Sequence, residues 1–314
     1  RRDLTEKMQR FPLRDLAAEV EGEQPGKNRF RQALEKDELQ IIAEIKSPPG
    51  NLILAYRNNT RWEQCFEPLS LESHKSSGTL LRKNGVYLIT GGLGKDSFTR
   101  SKYLAREFNA QLVLVNRTLL PPQEKWTEYQ ETHGDDEISK KITMVRELEK
   151  LGARVLPISA DVSREDEMNK VMKRIDEEFG QLHGVIHAAG ITRLESSRLL
   201  LDIGKEESQL HFAPKVHGLY VLEKLLAGRD IDFCLLTSSL ASIIGGIGLS
   251  AYTAASIFMD AFTHRHNQTS ALPWISLNWQ GATEKITIEV FKQVVNLKQI
   301  HQVIFSQKDL GQLI

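Results

Sequence analysis

Apolar and polar positions change in a regular order along the chain from Gly85 onwards. A short, continuously apolar run, Gly85–Thr90, leads into the glycine cluster Gly91–Gly94. Apolar residues then recur at helical spacing as far as Phe108, and a second apolar run follows at Leu112–Val115. Continuous apolar runs of this length are typical of strands buried on both faces. The pattern therefore predicts a β-α-β unit with glycines at its first turn.

Strand and helix patterns continue to alternate over the rest of the chain. The predicted strands are 154–158, 184–187, 232–238 and 274–279, and the predicted helices are 145–151, 164–179, 215–226 and 252–265. Such alternation is typical of an α/β fold with a parallel, doubly wound sheet and right-handed crossovers. We therefore predict a Rossmann-type domain over residues 79–314, in which segment 119–141, rich in Pro, Glu and Asp, is a surface insertion.

Residues 1–78 follow a different pattern. The first 40 or so are charged and weakly periodic with a loop at 21–26, and the polar segment 70–84 is typical of a linker. A hairpin is predicted over 52–66, with its turn at Asn58-Asn59. One hairpin and a helix or two do not form an independent core. We expect a small, partial N-terminal structural subdomain that packs on the Rossmann domain through Trp62 and Phe66.

Composition narrows the function classes. The 314 residues carry 41 basic and 41 acidic side chains, so no nucleic-acid or membrane surface is indicated. Cys65 and Cys234 are isolated and have no metal or disulfide spacing, which favours a cytoplasmic location, and the histidines form no metal-site pattern. The sequence has no signal peptide and no apolar run of membrane-spanning length. Because it begins Arg-Arg, we expect a piece of a longer protein.

The glycine cluster is a candidate dinucleotide site. Gly91, Gly92, Leu93 and Gly94 lie where backbone N–H groups and a helix N-terminus face a pyrophosphate. Arg117 follows the second strand with no acidic residue in its place, which favours the 2′-phosphate of NADPH. The third spaced glycine of a full fingerprint is missing, because Lys95-Asp96-Ser97 follows Gly94. A tight turn without a ligand therefore stays open as an alternative.

Three further strand ends carry small or polar residues: 187–190, 237–239 and Asp161. Ligands of doubly wound sheets lie outside the carboxyl ends of the strands. Asp161 is able to accept a hydrogen bond from an adenine amino group. The same residue is equally suited to cap the helix that begins near Arg164. Both interpretations of Asp161 remain open.

Ser239, Tyr252 and Lys215 are the candidate catalytic residues. A phenol has an unperturbed pKa of about 10, and a nearby ammonium lowers it by favouring the phenolate. Lys215 is the candidate ammonium, so we expect a lowered pKa for Tyr252. Taken singly, a tyrosine at this position is more often a core residue and a lysine more often a solvated one.

Several motifs in one order resemble a known family. Lys215 precedes Ser239 by 24 positions and Ser239 precedes Tyr252 by 13. They occur together with Thr90-Gly-Gly-Leu-Gly94, Asp161-Val162 and His187-Ala-Ala-Gly190. From about residue 52 to its end, the chain resembles the ketoreductase domain of modular polyketide synthases, a branch of the short-chain dehydrogenase/reductase superfamily.

The resemblance implies a reaction and its residues. Ser239 would hydrogen-bond the β-keto oxygen of an acyl thioester, Tyr252 would donate the proton, and Lys215 would assist Tyr252 and the ribose of NADPH. Ser256 stands where this branch carries an asparagine. The implied cofactor-binding residues are Gly91, Gly92, Leu93, Gly94, Arg117, Asp161, Val162, Ala188, Ala189 and Gly190. The implied partners are an acyl carrier protein that bears the β-ketoacyl chain and neighbouring domains of the same synthase.

Two rival hypotheses remain. The altered loop at Lys95–Ser97 and Ser256 favour a pseudo-ketoreductase that keeps the fold as a scaffold with impaired activity. A free-standing short-chain dehydrogenase for small alcohols is disfavoured by Lys215 and the hairpin. Ile191–Glu195 and Ile244 replace the family's two markers of product configuration, so no hydroxyl configuration is predicted. The N-terminal subdomain is short for the family, and we expect it to be truncated or interrupted by another domain.

Overall fold

A computed structural model describes residues 38–46, 53–57, 60–69, 78–191, 200–297 and 300–313. The chain divides into two compact units, Arg1–Pro68 and Leu69–Ile314, where the sequence predicted a boundary after residue 78. The loop at 21–26, the turn at Asn58-Asn59, linker residues 70–77 and the marker positions 192–195 lie outside the described residues.

The described part of the first unit consists of one helix and one hairpin. Helix α1 covers residues 38–46. Strand β1 (Leu54–Arg57) pairs antiparallel with β2 (Thr60–Glu63), which confirms the predicted hairpin. Tyr56 and Arg61 on the hairpin both hydrogen-bond the carboxylate of Glu44 on α1. Polar contacts thus join the helix to the hairpin.

The second unit contains a seven-stranded sheet in which every pairing is parallel. Its strands are β3 (Val86–Thr90), β4 (Gln111–Asn116), β5 (Arg154–Ser159), β6 (Gly184–His187), β7 (Phe233–Ser239), β8 (Trp274–Trp279) and β9 (Gln302–Ile304). Their spatial order is β5-β4-β3-β6-β7-β8-β9. The strand order reverses between β3 and β6, and this switch point is where doubly wound sheets form a ligand crevice.

The helices lie between these strands in sequence. They are α2 (Lys95–Phe108), α3 (Trp126–His133), α4 (Glu137–Lys150), α5 (Glu165–Phe179), α6 (Lys205–Phe212), α7 (Gly218–Leu226), α8 (Ala241–Ile244), α9 (Ser250–Thr269) and α10 (Glu284–Val294). A π-helical turn, Ala213–His217, joins α6 to α7. The predicted α/β, doubly wound architecture is confirmed.

Each face of the sheet carries its own hydrophobic core, because successive strand residues point to opposite faces. Tyr87 and Ile89 of β3 belong to the core that also contains residues of α2, α4 and α10. Val86 and Leu88 belong to the opposite core, with residues of α5, α7 and α9. The two cores explain why the central strands are apolar at every position.

Segment 119–141 lies largely at the surface, as predicted, but it contains helices and a buried anchor that were not predicted. It forms α3 and the start of α4. Trp126 is only 3% exposed, packs in the first core and donates its indole N–H to the carbonyl of Pro121 at 2.8 Å. The sequence did not indicate that Trp126 is buried, because the residues around it are mostly charged or polar.

Candidate active site

The turn after β3 admits only glycine at its first two positions. Gly91 has a φ of +68°, and a Cβ there would lie 2.7 Å from the carbonyl oxygen of Ala188. A Cβ on Gly92 would lie 2.8 Å from the carbonyl oxygen of Ile89. Both contacts are with backbone, which has no room to move aside. The loop therefore brings the end of β3 directly against the end of β6.

The N-terminus of α2 is built to face an anion. Its N-cap residue, Gly94, offers no side-chain acceptor to the first N–H groups of the helix. These groups have no partner within a helix, so they remain available to a phosphate. Leu93 is buried and donates its backbone N–H to the Asn116 side chain at 3.2 Å, which fixes the loop on β4. Ser97 is also buried and adds only a small side chain. The loop fits a dinucleotide pyrophosphate.

Arg117 lies directly after β4 and is exposed. The next residue, Thr118, accepts a hydrogen bond from the ammonium of Lys141 on α4. Two cations therefore stand at the carboxyl end of β4. The sequence pattern indicated only the first, because Lys141 reaches this position through the helical folding at the end of segment 119–141.

Asp161 has a local partner in the structure. Its carboxylate accepts hydrogen bonds from the backbone N–H and the hydroxyl of Ser163, at 2.9 and 2.7 Å. The N-cap residue of α5 is Arg164. Asp161 thus closes the turn that precedes the helix, and it does not occupy the N-cap position.

The other predicted cofactor residues line the end of β6 and its surroundings. Ala188 donates its backbone N–H to the Thr90 carbonyl at 3.0 Å, and Ala189 and Gly190 follow. A Cβ on Gly190 would come within 3.2 Å of the Lys215 side chain. Val162 is buried, and a Cβ on Gly218 would lie 3.0 Å from it. The structure brings Ala188–Gly190 to the glycine loop, while Val162 packs in the core.

Three separate elements bring the candidate catalytic side chains together. Ser239 ends β7, Tyr252 lies in the first turn of α9, and Lys215 lies in the π-helical turn. The Lys215 ammonium is 5.0 Å from the centre of the Tyr252 ring, over its face. It donates to the Thr237 carbonyl at 3.4 Å and lies 3.3 Å from the Met259 sulfur. π-Helical turns are frequent at functional sites.

The electrostatics of this cluster are dominated by burial. Burial lowers the pKa of Lys215 to about 8, against a smaller raising effect of Asp260. Burial also raises the pKa of Tyr252, while its hydrogen bond with Ser239 lowers it and the Asp96 carboxylate raises it further. The expected lowering of the Tyr252 pKa by Lys215 is therefore wrong. The ammonium lies over the ring face, and the cost of burying a phenolate outweighs its effect.

Ser256 does not point its hydroxyl towards Tyr252's phenol. The hydroxyl donates to the Tyr252 backbone carbonyl within α9 at 2.9 Å, and the side chain is fully buried. The Ser256 carbonyl in turn accepts from the Ser238 hydroxyl at 3.2 Å. In this arrangement Ser256 joins α9 to β7.

A buried polar network beneath Ser239 was not found in the sequence. The Asp260 carboxylate accepts from Ser242, Ser276 and Asn278, at 2.8, 2.5 and 2.7 Å. The Asn278 amide also lies 3.4 Å from the Ser239 carbonyl. The detectable signal was a pair of polar residues, Ser276 and Asn278, inside an otherwise apolar strand. The network holds the end of β7 against α9 and β8.

A second polar group, also not found in the sequence, lies between α2 and the ends of β7 and β8. Arg100 is fully buried and donates to the Thr237 hydroxyl at 3.0 Å. Asp96, one helical turn earlier, accepts from the Trp279 indole N–H at 3.0 Å. The signal available in the sequence was an arginine on the apolar face of α2.

His187 links the two sides of the switch point. Its ring contacts the Thr90 hydroxyl at 2.7 Å and the Pro214 carbonyl at 3.1 Å. Burial is the main reason that its pKa is lowered to about 3, and Lys215 lowers it further. His187 is therefore a neutral structural group at the end of β6.

Within the described ranges, no group of three or more His, Cys, Asp or Glu side chains is placed to hold a metal ion. In the same part of the chain, no helix combines the length and apolar character needed to cross a membrane.

Comparison with known proteins gives one consistent result. Residues 85–284 match the family model described as KR domain. The chain is 32% identical over 245 residues to a phenolphthiocerol/phthiocerol polyketide synthase of Mycobacterium tuberculosis (strain CDC 1551 / Oshkosh), covering 76% of this chain and 13% of that protein. It is 30% identical to polyketide synthase PksM of Bacillus subtilis (strain 168), covering 76% of this chain and 5% of that protein. The chain thus spans a small fraction of the curated relatives it matches.

Solved structures agree with these relatives. A ketoreductase domain from the bacillaene assembly line is 25% identical with a TM-score of 0.64, covering 80% of this chain and 61% of that one. An N-terminal ketoreductase from the macrolactin assembly line is 26% identical with a TM-score of 0.63, covering 78% of this chain and 47% of that one.

Proposed function

The chain belongs to the KR domain family found in polyketide synthases, and from this membership we propose that it is an NADPH-dependent reductase of β-ketoacyl thioesters. The substrate is an acyl chain carried by an acyl carrier protein, and the product is the β-hydroxyacyl thioester. The observation that carries the proposal is the convergence of Ser239, Tyr252 and Lys215 beside the glycine loop.

Each side chain of the cluster has one task. When bound, NADPH supplies a hydride to the β-carbon, so two electrons reduce the carbonyl. Tyr252 gives its phenolic proton to the carbonyl oxygen and recovers a proton from solvent. Ser239 donates a hydrogen bond to the same oxygen and positions it. Lys215 places a positive charge against the Tyr252 ring, which stabilises the phenolate formed in the reaction.

The protonation states support these tasks. The raised pKa of Tyr252 keeps the phenol protonated at neutral pH, as a proton donor must be. The pKa of about 8 for Lys215 leaves this group mainly charged at pH 7. Above pH 8 the ammonium loses its proton, so we expect the rate of reduction to fall as the pH rises through this value.

Two features support NADPH as the cofactor. The glycine turn and the uncapped α2 N-terminus fit a pyrophosphate. Arg117 and Lys141 flank Thr118 at the end of β4, where a 2′-phosphate would meet two cations. Neighbouring synthase domains are further proposed partners, because the matched relatives are much longer polyketide synthases.

A scaffold role is the second candidate function. The charged loop residues Lys95 and Asp96 favour it, as does the Ser256 hydroxyl, which is bonded within its own helix. Without turnover, the fold would serve contacts between domains.

One pair of measurements separates the candidates. Titration with NADPH, followed by cofactor fluorescence, is expected to show saturable binding. Turnover with a β-ketoacyl thioester is expected to exceed turnover with a small ketone, as required for a carrier-bound substrate. Absence of NADPH binding at millimolar concentration would contradict the reductase and leave the scaffold role. Equal turnover of both substrates would indicate a general short-chain dehydrogenase.

A further inference from the structure

Arg100 occupies an unusual environment for a charged side chain. It is fully buried, and one nitrogen of its guanidinium bonds the Thr237 hydroxyl at 3.0 Å. Among the described residues, its Nε and Nη2 atoms have no hydrogen-bond partner. A buried cation is costly unless a negative charge lies nearby. The buried guanidinium therefore calls for an anion close to this side of α2.

Asp96 provides that anion. It lies four positions before Arg100, on the same side of α2. Burial lowers the pKa of Arg100 to about 10, and the Asp96 carboxylate opposes this change. The carboxylate is fixed by the Trp279 indole N–H at 3.0 Å. The Trp279 ring in turn lies 5.6 Å from the Arg100 guanidinium and stacks on Phe305. Asp96 and Arg100 thus both contact the Trp279 indole, Asp96 at its N–H and Arg100 over its ring.

This carboxylate also lies close to the catalytic cluster. Trp279, which holds it, pairs with Ser239 in the sheet, and Thr237 joins Arg100 to Lys215 through its hydroxyl and its carbonyl. The charge of Asp96 reaches the Tyr252 hydroxyl, since it adds to the effect of burial there. Hydride and proton are delivered to the two adjacent atoms of one carbonyl group. A bound nicotinamide must therefore lie near Tyr252, within the field of Asp96.

We propose that Asp96, held by Trp279 and balanced by Arg100, sets the preference of the site between oxidised and reduced cofactor. The nicotinamide ring is neutral in NADPH and positively charged in NADP⁺, so a fixed carboxylate attracts only the oxidised ring. Arg100 opposes this attraction and limits its size. The inference rests on the proposed function, and it names the residues that tune the bound redox couple.

The test compares the affinities for the two cofactor forms. Asp96→Asn removes the charge and keeps an oxygen that accepts from Trp279. We expect the ratio of the dissociation constants, NADP⁺ over NADPH, to rise about threefold to tenfold, as for one partly screened charge pair. NADPH is titrated by fluorescence, and NADP⁺ by competition with bound NADPH. Glu107→Gln is the matched control, because it removes the same charge from the far end of α2 and is expected to leave the ratio unchanged.

Arg100→Met gives an independent arm. Removal of the balancing cation strengthens the field of Asp96, so the ratio is expected to fall, opposite to the effect of Asp96→Asn. A general disturbance of the site would move both affinities in one direction and leave the ratio alone. A ratio within twofold of the parent in Asp96→Asn overturns the inference while the proposed function stands. Failure of the parent to bind either form overturns the proposed function and this inference with it.

Discussion

The two sides of the crevice differ in the residues that support them. On the proposed catalytic side, Ser239, Tyr252 and Lys215 lie together, and a buried network around Asp260 holds the end of β7 that carries Ser239. On the proposed cofactor side, the glycine turn is kept, but Lys95–Ser97 takes the place of the third spaced glycine of a dinucleotide fingerprint. The proposed catalytic side is supported by neutral side chains and the Asp260 carboxylate. The proposed cofactor side carries two additional charges of opposite sign, Lys95 and Asp96.

The difference shows that a departure from a family pattern has to be judged together with its surroundings. In the sequence, Asp96 is one of the residues that follow Gly94 where the glycine fingerprint is incomplete. In the structure it accepts from Trp279, which lies 183 positions away, and it lies near the buried cation Arg100 one helical turn further along α2. The charged loop is therefore part of a packed group, and its removal has consequences of its own.

The largest expected effect is a loss of turnover on substitution of Tyr252. Tyr252→Phe removes the proposed proton donor and keeps the ring that faces Lys215, so turnover should fall about 10²–10⁴-fold with folding intact. The measurement is steady-state turnover, with circular dichroism as the check on folding. Tyr220→Phe, on the partly exposed face of α7, is the matched control and should retain the parent rate. Turnover of Tyr252→Phe within threefold of the parent would remove Tyr252 from the mechanism.

The next largest expected effect concerns the stability that the protein loses by burying Lys215 beside Tyr252. Lys215 has a lower pKa folded (about 8) than its ordinary value of 10.5, so the unfolded chain binds more protons between these pH values. The buried Lys215 ammonium therefore lowers the free energy of unfolding of the parent protein below pH 8. This free energy increases as the pH rises from 8 to 10.5. Lys215→Met should raise the free energy of unfolding by about 3 kcal/mol at pH 7. The gain should shrink towards pH 10.5.

Denaturant unfolding at several pH values measures this difference. Lys224→Met is the control, because Lys224 is exposed and forms a surface ion pair with Glu165. Its effect should stay within about 0.5 kcal/mol at every pH. A gain for Lys215→Met that does not change with pH would contradict the assigned titration.

A double-mutant cycle sharpens the comparison on the cofactor side. Asp96→Ile replaces the carboxylate by an apolar side chain and leaves the buried Arg100 without its nearby anion. We expect a loss of about 1–3 kcal/mol in the free energy of unfolding. Arg100→Leu added to Asp96→Ile should recover most of that loss. Additive effects of the two substitutions would mean that they do not act as a pair.

The smallest expected effect lies at the exposed end of β4. Arg117→Ala should weaken NADPH binding about fivefold to tenfold, through loss of one charge-assisted contact, and should leave NADH binding unchanged. Lys141→Met should act in the same way, while Lys140→Met, one position away and paired with Asp135, should not. Fluorescence titration with both cofactors measures this selectivity. Equal weakening of NADPH and NADH would show that these cations are structural.

The sequence was sufficient for most of the fold. Strands β6 and β8 fall at the predicted residues, and β5 and β7 fall within one residue of theirs, because continuous apolar runs mark buried parallel strands. Strand β9 was missed, since it is three residues long and only partly buried. The helix predicted from Lys215 begins as a π-helical turn, a local distortion with no sequence pattern of its own.

The proximity of the candidate catalytic residues was predictable, and their electrostatics were less so. Spacing and resemblance grouped Ser239, Tyr252 and Lys215, and the structure places their side chains together. Their catalytic roles stay predictions. The direction of the Tyr252 pKa was missed, because it depends on burial and on the side of the ring that the ammonium faces. The partnership of Asp96 with Trp279 joins residues 183 positions apart, and only the sheet order brings them together.

The glycine turn also determines where this loop is free to change over evolutionary time. A Cβ at Gly91 or Gly92 would lie 2.7 or 2.8 Å from a backbone carbonyl oxygen, so any substitution at these two positions causes a steric clash. Lys95 is exposed and Asp96 is partly exposed, so these positions tolerate substitution without a steric penalty. The loop carries its charged residues at the places that its geometry leaves open. Because the Asp96 carboxylate lies near the buried Arg100 one helical turn away, the two positions are expected to change together in any descendant of this chain.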